Sequence, residues 1–477
     1  MRKTIASLFL FACPLLLPAQ PYAVRVEKNT VYGTALDFSG KTDSLRLDVF
    51  KPVGDGQTKR PLFVYAHGGA WLEVSNKNEA EHLAVCTEMA KLGFVAVNVE
   101  YRRGYHRLQQ YTPYALCAAV IQDGRCTFAY DSNEVVRAVY RGMQDLRGAI
   151  RYMKGRHAQD STDVQQVIVG GSSAGGFLAL YTAYLDCPGE KPLACGALPP
   201  VPAAHPDFAS CYTPGPVSGQ RPDLGDPQGT LHRQNGQDAS VVGVANFFGA
   251  VFHNLLPGPP GQRLPVLYSF HQTNDVVVDC GVKSPLLSYY EQVIAPLNLC
   301  QPVAPPPPAA GSCAILSALQ ASGVPTDAYS IQIVQNGPPN NLANPPGHSF
   351  DNLPLRVAQA ANFFKPYLNG QKSLPVVPSA CTVASHDAQI LTPFCRILPT
   401  VFGQEGFTMQ LQWPRDTRVE WGVYDLLGRK MTGATQSLSP GEHLLHTGAT
   451  VDWPLGPYAV VVRMGANFMT ELVFKRE

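Results

Sequence analysis

A serine set in a glycine-flanked pentapeptide constrains this chain more than any other feature. Gly171-Ser172-Ser173-Ala174-Gly175 has the spacing G-x-S-x-G, follows the apolar run Val167-Ile168-Val169 and precedes a helix-like stretch over residues 177–185. A serine hydroxyl is a poor nucleophile at neutral pH. The chain must therefore turn sharply after a buried strand to present it to a base, and the flanking glycines admit that crowding. Ser173 is the candidate nucleophile. Alone, the pentapeptide would also suit a strand-to-helix turn without chemistry, so its partners decide.

The first partner lies upstream. Residues 61–66 read as a buried strand that runs into His67-Gly68-Gly69-Ala70-Trp71. Acyl transfer places negative charge on a carbonyl oxygen, and backbone N–H groups reach that charge only where no side chain blocks them. Gly69, Ala70 and Ala174 are the candidate donors of an oxyanion hole.

An acid and a base should follow the serine on loops after later strands. Residues 264–270 read as a strand running into His271-Gln272-Thr273-Asn274-Asp275, which puts Asp275 at a strand end, with Asp279 as its rival. Residues 329–334 alternate as a further strand. The loop beyond carries Gly347-His348-Ser349-Phe350, just before an amphipathic helix over residues 355–364. In this arrangement His348 takes the proton of Ser173, and Asp275 holds the imidazole in its productive tautomer. His271 is the weaker base candidate because it precedes the acid on the same loop.

With these four motifs in order, the chain over residues 45–368 resembles the α/β-hydrolases of the esterase/lipase superfamily. It is similar to the HGGxW group, which includes hormone-sensitive-lipase-like carboxylesterases and carbohydrate-ester hydrolases. The resemblance implies an eight-stranded, mostly parallel sheet with helices on both faces and a Ser-Asp-His triad at its carboxyl edge. Two positions depart from the pattern: Ala70 stands where lipase-like members have a third glycine, and Ser172 where they commonly have aspartate.

Composition suits an exported globular protein. The 477 residues are enough for a large core and more than one domain, and a formal net charge of +1 offers no footprint for nucleic acid. Arg2 and Lys3 precede an apolar stretch over residues 5–17, too short to span a bilayer but fitting a signal peptide over residues 1–19. No stable membrane span is expected. Eleven cysteines beyond that leader suit an oxidising compartment. Short-range pairs are Cys117 with Cys126, Cys300 with Cys313, Cys381 with Cys395, and Cys187 with Cys195 or Cys211. The odd total leaves at least one thiol free, with Cys86 a candidate. No C-x-x-C pair occurs and the histidines are scattered, so neither a metal nor a cofactor is expected.

Strands alternating with helices (helices over 78–92 and 133–154, strands over 44–50 and 94–100) argue for a parallel sheet covered on both faces. An antiparallel edge is expected over residues 22–50. Insertions over residues 103–130 and 187–239 either shape the pocket or decorate the surface, with Tyr105, Tyr111 and Tyr114 suited to a sugar or aryl ligand. Residues 302–308 read as a stiff proline spacer. The catalytic domain is thus expected over residues 20–370, a linker over 371–400, and a small all-β sandwich over 401–477, where short alternating strands show no helical period.

That tail resembles the C-terminal sorting domain of type IX secretion cargo, through residues 423–429, 438–443, 456–462 and the pair Lys475-Arg476. The resemblance implies recognition by the outer-membrane type IX machinery and a secreted or cell-surface location. Together the two likenesses imply a serine carboxylesterase acting on acetyl or feruloyl esters of polysaccharides or on short-chain lipid esters. The alternatives are a peptidase or amidase with the same triad, and a non-catalytic binding protein on a hydrolase scaffold.

Overall fold

The computed structural model describes residues 21–73, 75–106, 129–185, 190–201, 218–252, 264–289, 306–335, 347–376, 394–398, 401–413, 417–425, 429–438, 441–464 and 467–476. The chain divides into two units, Met1–Ala380 and Cys381–Glu477.

The first unit is built on one eight-stranded sheet. Its strands, in chain order, are β1 (Ala23–Leu36), β2 (Thr42–Val53), β3 (Arg60–Ala66), β4 (Val95–Val99), β5 (Thr162–Ser172), β6 (Gly243–Phe247) and β7 (Val266–Gln272), and the eighth comes after a small ladder. That ladder pairs β8 (Val282–Lys283) with β9 (Ala309–Ala310), and the eighth strand of the large sheet is β10 (Tyr329–Val334). The spatial order is β1-β2-β4-β3-β5-β6-β7-β10. β1 and β2 form the expected antiparallel edge, β2 meets β4 antiparallel, and every later pairing is parallel.

Helices cover the sheet: α1 (Ala80–Lys91), α2 (Ser132–Gly155), α3 (Ala174–Tyr184), α4 (Ser312–Ala321) and α5 (Leu353–Leu368). Strands sheltered on both faces need no alternation, and β3 accordingly buries Leu62, Phe63, Val64, Tyr65 and Ala66 in succession. Each such large side chain contributes roughly 1.5–3 kcal/mol by leaving water. α2 starts where Asp131 accepts the amide of Asn133. The described part of the second insertion runs along α2, tied to it by side chains that donate to loop carbonyls. Arg137 reaches Ala194, Gly196 and Pro222, Gln144 reaches Leu224 and Asp226, and Arg151 reaches Gln228 and Leu231. This stretch therefore braces a helix. Among the described residues no helix is long and apolar enough to cross a membrane.

One disulfide differs from expectation. Cys313 bonds Cys280, not Cys300, and Cys195 is a free buried thiol, not a partner of Cys187. The β8–β9 ladder brings Gly311 beside Gly281 and the amide of Cys313 onto the carbonyl of Cys280, so spatial neighbours far apart in sequence are joined. Cys86 is free and buried in α1, as expected. Cys117, Cys126, Cys187, Cys211, Cys300 and Cys381 lie outside the described residues, as do Tyr111 and Tyr114.

The second unit is all β. One sheet has the order β11-β13-β16 (Phe394–Leu398, Thr408–Trp413, Gly441–His446). The other, of five strands, runs β12-β18-β17-β14-β15 (Val401–Phe402, Asn467–Lys475, Gly456–Met464, Thr417–Asp425, Lys430–Leu438). Met409, Leu411 and Leu445 from the first share one core with Val419, Trp421, Val460 and Val462 from the second, which makes a sandwich. β11 falls inside the stretch expected as linker. Lys475 is buried, its ammonium donating to the carbonyls of Thr450, Val451 and Trp453.

Candidate active site

Ser173 occupies the turn between β5 and α3 with φ +52° and ψ −122°, a strained conformation for a residue with a side chain. The glycines around it are sterically required. A Cβ on Gly171 would lie 2.1 Å from the carbonyl oxygen of Gly175, and one on Gly175 would lie 2.0 Å from that of Ala66. The turn is fixed from the neighbouring strand by the Ser173 amide, which donates to Phe247 at 2.9 Å.

The structure brings the three sequence candidates into one line. His348 Nε2 lies 2.8 Å from Ser173 Oγ, and its Nδ1 lies 2.8 Å from Oδ2 and 3.0 Å from Oδ1 of Asp275. Asp275 is buried, whereas Ser173 and His348 are partly exposed. Oδ1 of Asp275 also accepts the amides of Val277 and Val278, at 2.8 and 2.9 Å. Burial pushes this carboxyl upward, but His348 and His271 beside it outweigh that effect and hold it below its ordinary range. An ionised acid is thus maintained in a dry setting. The rival Asp279 instead accepts the amide of Gly281 at 2.7 Å.

The histidine loop is held by its surroundings. Gln272 donates to the carbonyl of Ser349 at 2.7 Å. Phe248 meets the His348 ring edge-to-face at 5.0 Å, and Phe350 packs on Phe247, Phe248 and Phe270. Glu81 of α1 also acts on His348, and burial raises its carboxyl above the usual range against the pull of His82 and His348.

The glycine loop after β3 passes close to the nucleophile: a Cβ on Gly68 would sit 3.3 Å from that of Ser173. Gly69, Ala70 and Trp71 have φ of +105°, +52° and +58°, so Ala70 takes a conformation that favours glycine. Trp71 is buried edge-on against Phe177 at 5.2 Å. Several supports of this loop carry no sequence motif. His67 stacks on Tyr101 at 4.5 Å, with Nδ1 2.7 Å from Gly68 O and Nε2 3.2 Å from Glu100 Oε1. Ser172, at the position where lipase-like members commonly have aspartate, hydrogen-bonds Tyr65 at 2.7 Å.

Two expectations need correction. β7 continues through His271 and Gln272, so His271 is a fully buried strand residue and not a loop residue. Tyr105, offered as a ligand contact, is buried.

An α/β-hydrolase fold with a serine, histidine and aspartate aligned at the carboxyl ends of its parallel strands defines the class of this protein. Residues 47–133 match the BD-FAE family. No curated protein matches it. Among solved structures, a truncated carbohydrate esterase from gut microbiota is 15% identical, covering 74% of this chain and 99% of that one at a TM-score of 0.38. An α/β-hydrolase enzyme from a Medee basin deep-sea metagenome library is 13% identical, covering 73% and 99% at 0.38. Esterase 2 of Thermogutta terrifontis, phosphoramylated by tabun, is 16% identical, covering 73% and 96% at 0.37. Likeness at this level leaves the case to the site itself.

Proposed function

We propose that the protein is a secreted serine carboxylesterase working through Ser173, His348 and Asp275. The observation that carries this reading is the hydrogen-bonded line from Ser173 Oγ through His348 to the buried carboxylate of Asp275. Ser173 Oγ attacks the ester carbonyl while its proton passes to His348 Nε2. The oxyanion so formed is met by the amides of Gly69, Ala70 and Ala174. Collapse expels the alcohol, which takes the proton from His348, and an acyl group remains on Ser173. Water, deprotonated by His348, then releases the carboxylic acid and restores the serine. Asp275 stays ionised throughout and stabilises the imidazolium.

The substrate class proposed is an acetyl or feruloyl ester of a polysaccharide, or a short-chain lipid ester. Support for the former comes from the similarity of residues 47–133 to the BD-FAE family and from the resemblance to carbohydrate-ester hydrolases. Export by a signal peptide and recognition of the β-sandwich by the type IX machinery belong to the same proposal, resting on the leader and tail motifs.

Hydrolysis of p-nitrophenyl acetate by the full chain and by Ser173→Ala tests the mechanism. The substitution is expected to lower kcat by about a thousandfold or more, with folding unchanged. Equal rates would remove Ser173 from the reaction. A panel of acetylated and feruloylated xylan beside p-nitrophenyl esters of increasing chain length ranks the substrates, and peptide amides that outpaced esters would reverse the preference for ester hydrolysis.

A further inference from the structure

We propose that His271 is a positioning residue for Asp275, held in place by a buried hydrogen-bonded chain through Ser312, the neighbour of disulfide-bonded Cys313. The inference rests on the serine-hydrolase reading above. His271 is fully buried in β7, so it does not meet a substrate. Its Nε2 lies 2.8 Å from the carbonyl oxygen of Val278 and 3.4 Å from Oδ2 of Asp275, the same oxygen that faces His348 Nδ1.

The partners fix its tautomer. A carbonyl can only accept, so Nε2 carries the hydrogen, and the Ser312 backbone amide 3.4 Å from Nδ1 can only donate, so Nδ1 is the acceptor. The chain then has one direction. Asn246 Nδ2 donates to Ser269 Oγ at 2.9 Å, Ser269 Oγ meets Ser312 Oγ at 2.7 Å, and Ser312 Oγ lies 2.9 Å from Nδ1 of His271. All four residues are fully buried. The amide of Gly249 returns to Asn246 Oδ1 at 3.0 Å and closes the far end.

A polar chain of this length in a dry interior is costly unless every member is paired, and an apolar side chain at residue 271 would fill the space without that demand. What the imidazole adds is an N–H, bonded to the Val278 carbonyl and 3.4 Å from the acid, whose dipole favours the ionised carboxylate. Val277 and Val278 restrain the other oxygen through their amides. Ser312 is in turn locked to the acid loop. Its neighbour Cys313 is bonded to Cys280 and donates its amide to the Cys280 carbonyl at 2.8 Å, and Gly311 donates to Gly281 at 2.7 Å. A Cβ on Gly311 would lie 2.0 Å from the carbonyl oxygen of Asp279, which shows how closely the two segments are apposed.

The test compares the full-length protein with His271→Phe, His271→Gln and Ser312→Ala in p-nitrophenyl acetate hydrolysis, with folding followed by circular dichroism and melting. His271→Phe is expected to lower kcat about tenfold with KM little changed. It should also move the acidic limb of kcat/KM up by roughly half a pH unit, because the carboxylate, no longer facing an N–H, favours the imidazolium of His348 more strongly. Glu81, which His348 draws on electrostatically, is the same in every variant and cancels. His271→Gln, which retains an N–H, should recover part of the loss. A folded His271→Phe with a wild-type kcat, or one whose kcat falls while the acidic limb stays put, overturns the proposal. Should His271→Phe fail to fold, Ser312→Ala decides: a loss of about threefold with the same shift of the limb supports the proposal, and wild-type behaviour overturns it. Parity of the wild type with Ser173→Ala would instead remove the hydrolase reading, and this inference with it.

Discussion

Gly347 has φ +72°, and a Cβ there would lie 2.5 Å from the amide nitrogen of Asp275 and 2.7 Å from the carbonyl oxygen of Asn274. The histidine loop thus reaches the acid only because residue 347 lacks a side chain. Gly347→Ala is expected to displace His348 by an ångström or so and lower kcat about a hundredfold, measurable as a fall in ester turnover in a protein that still folds. A different residue sets a pH limit. Burial lowers the pKa of His67 against the upward pull of Glu100, so the folded state favours its neutral form. Below about 6.5 the unfolded chain binds a proton that the folded one refuses, and stability falls as pH drops through that value. Asp43 and Glu81, whose carboxyls burial raises, act in the opposite sense, gaining stability as pH falls. The effect is therefore isolated by comparison: urea midpoints at pH 7.5 and 5.5 should differ less in His67→Gln than in the wild type. Ser173, Asp275 and His348 were legible in the sequence because strands alternating with helices place them, in one chain order, on loops at successive strand ends. The supports Tyr65, Glu100 and Tyr101 were not, since a buried phenol or carboxylate serving one loop leaves no spacing pattern.

Most strands and helices of the first unit could be read from apolar runs and periodicity, and the failures have identifiable causes. β6, with the sequence Gly-Val-Ala-Asn-Phe, is only five residues long, follows a long insertion and is buried throughout, so it offers neither alternation nor length. α4 was hidden behind the proline run that precedes it. β7 extends two residues further than its hydropathy suggests, because the buried chain satisfies His271 and the loop carbonyl of Ser349 satisfies the amide group of Gln272. The disulfide partner of Cys313 was misassigned for a related reason: the β8–β9 ladder, just two residues on each side, sets which cysteines meet. Cys280 and Cys313 enclose a separation of 33 residues, for which chain entropy suggests a stabilisation of roughly 3 to 4 kcal/mol. The double substitution Cys280→Ser with Cys313→Ser should lower the unfolding free energy by about that amount or somewhat less, as urea titration without reductant would measure. Reductant should then destabilise the wild type by more than it does the double variant.

At the scale of the whole molecule, all three triad residues and all three candidate oxyanion donors fall within Met1–Ala380, and the described contacts that brace the acid, histidine and glycine loops come from elements of that unit. Its hydrophobic core is one continuous cluster, which reaches Leu368 and takes in Leu374. The carbonyl of Pro375 accepts the amide of Leu264, so residues just past α5 still complete the first unit, beyond the boundary at 370 expected from sequence. The sandwich has a core of its own around Met409, Trp421 and Val460, and its buried Lys475 is satisfied internally by three carbonyls. Separate cores of this kind unfold as separate cooperative units. Calorimetry of the full chain should therefore show two transitions. A chain ended after Ala380 should keep the transition of the hydrolase unit and a kcat/KM for p-nitrophenyl acetate within about twofold of the full-length value. Ending the chain after Leu368 instead should destabilise that unit, because it removes Leu374 from the core and leaves the Leu264 amide unpaired. If the chain ended at Ala380 lost turnover while retaining its melting transition, the second unit would have to contribute directly to catalysis. The proposed sorting role predicts the reverse division of labour, in which removing the tail abolishes export and leaves turnover intact.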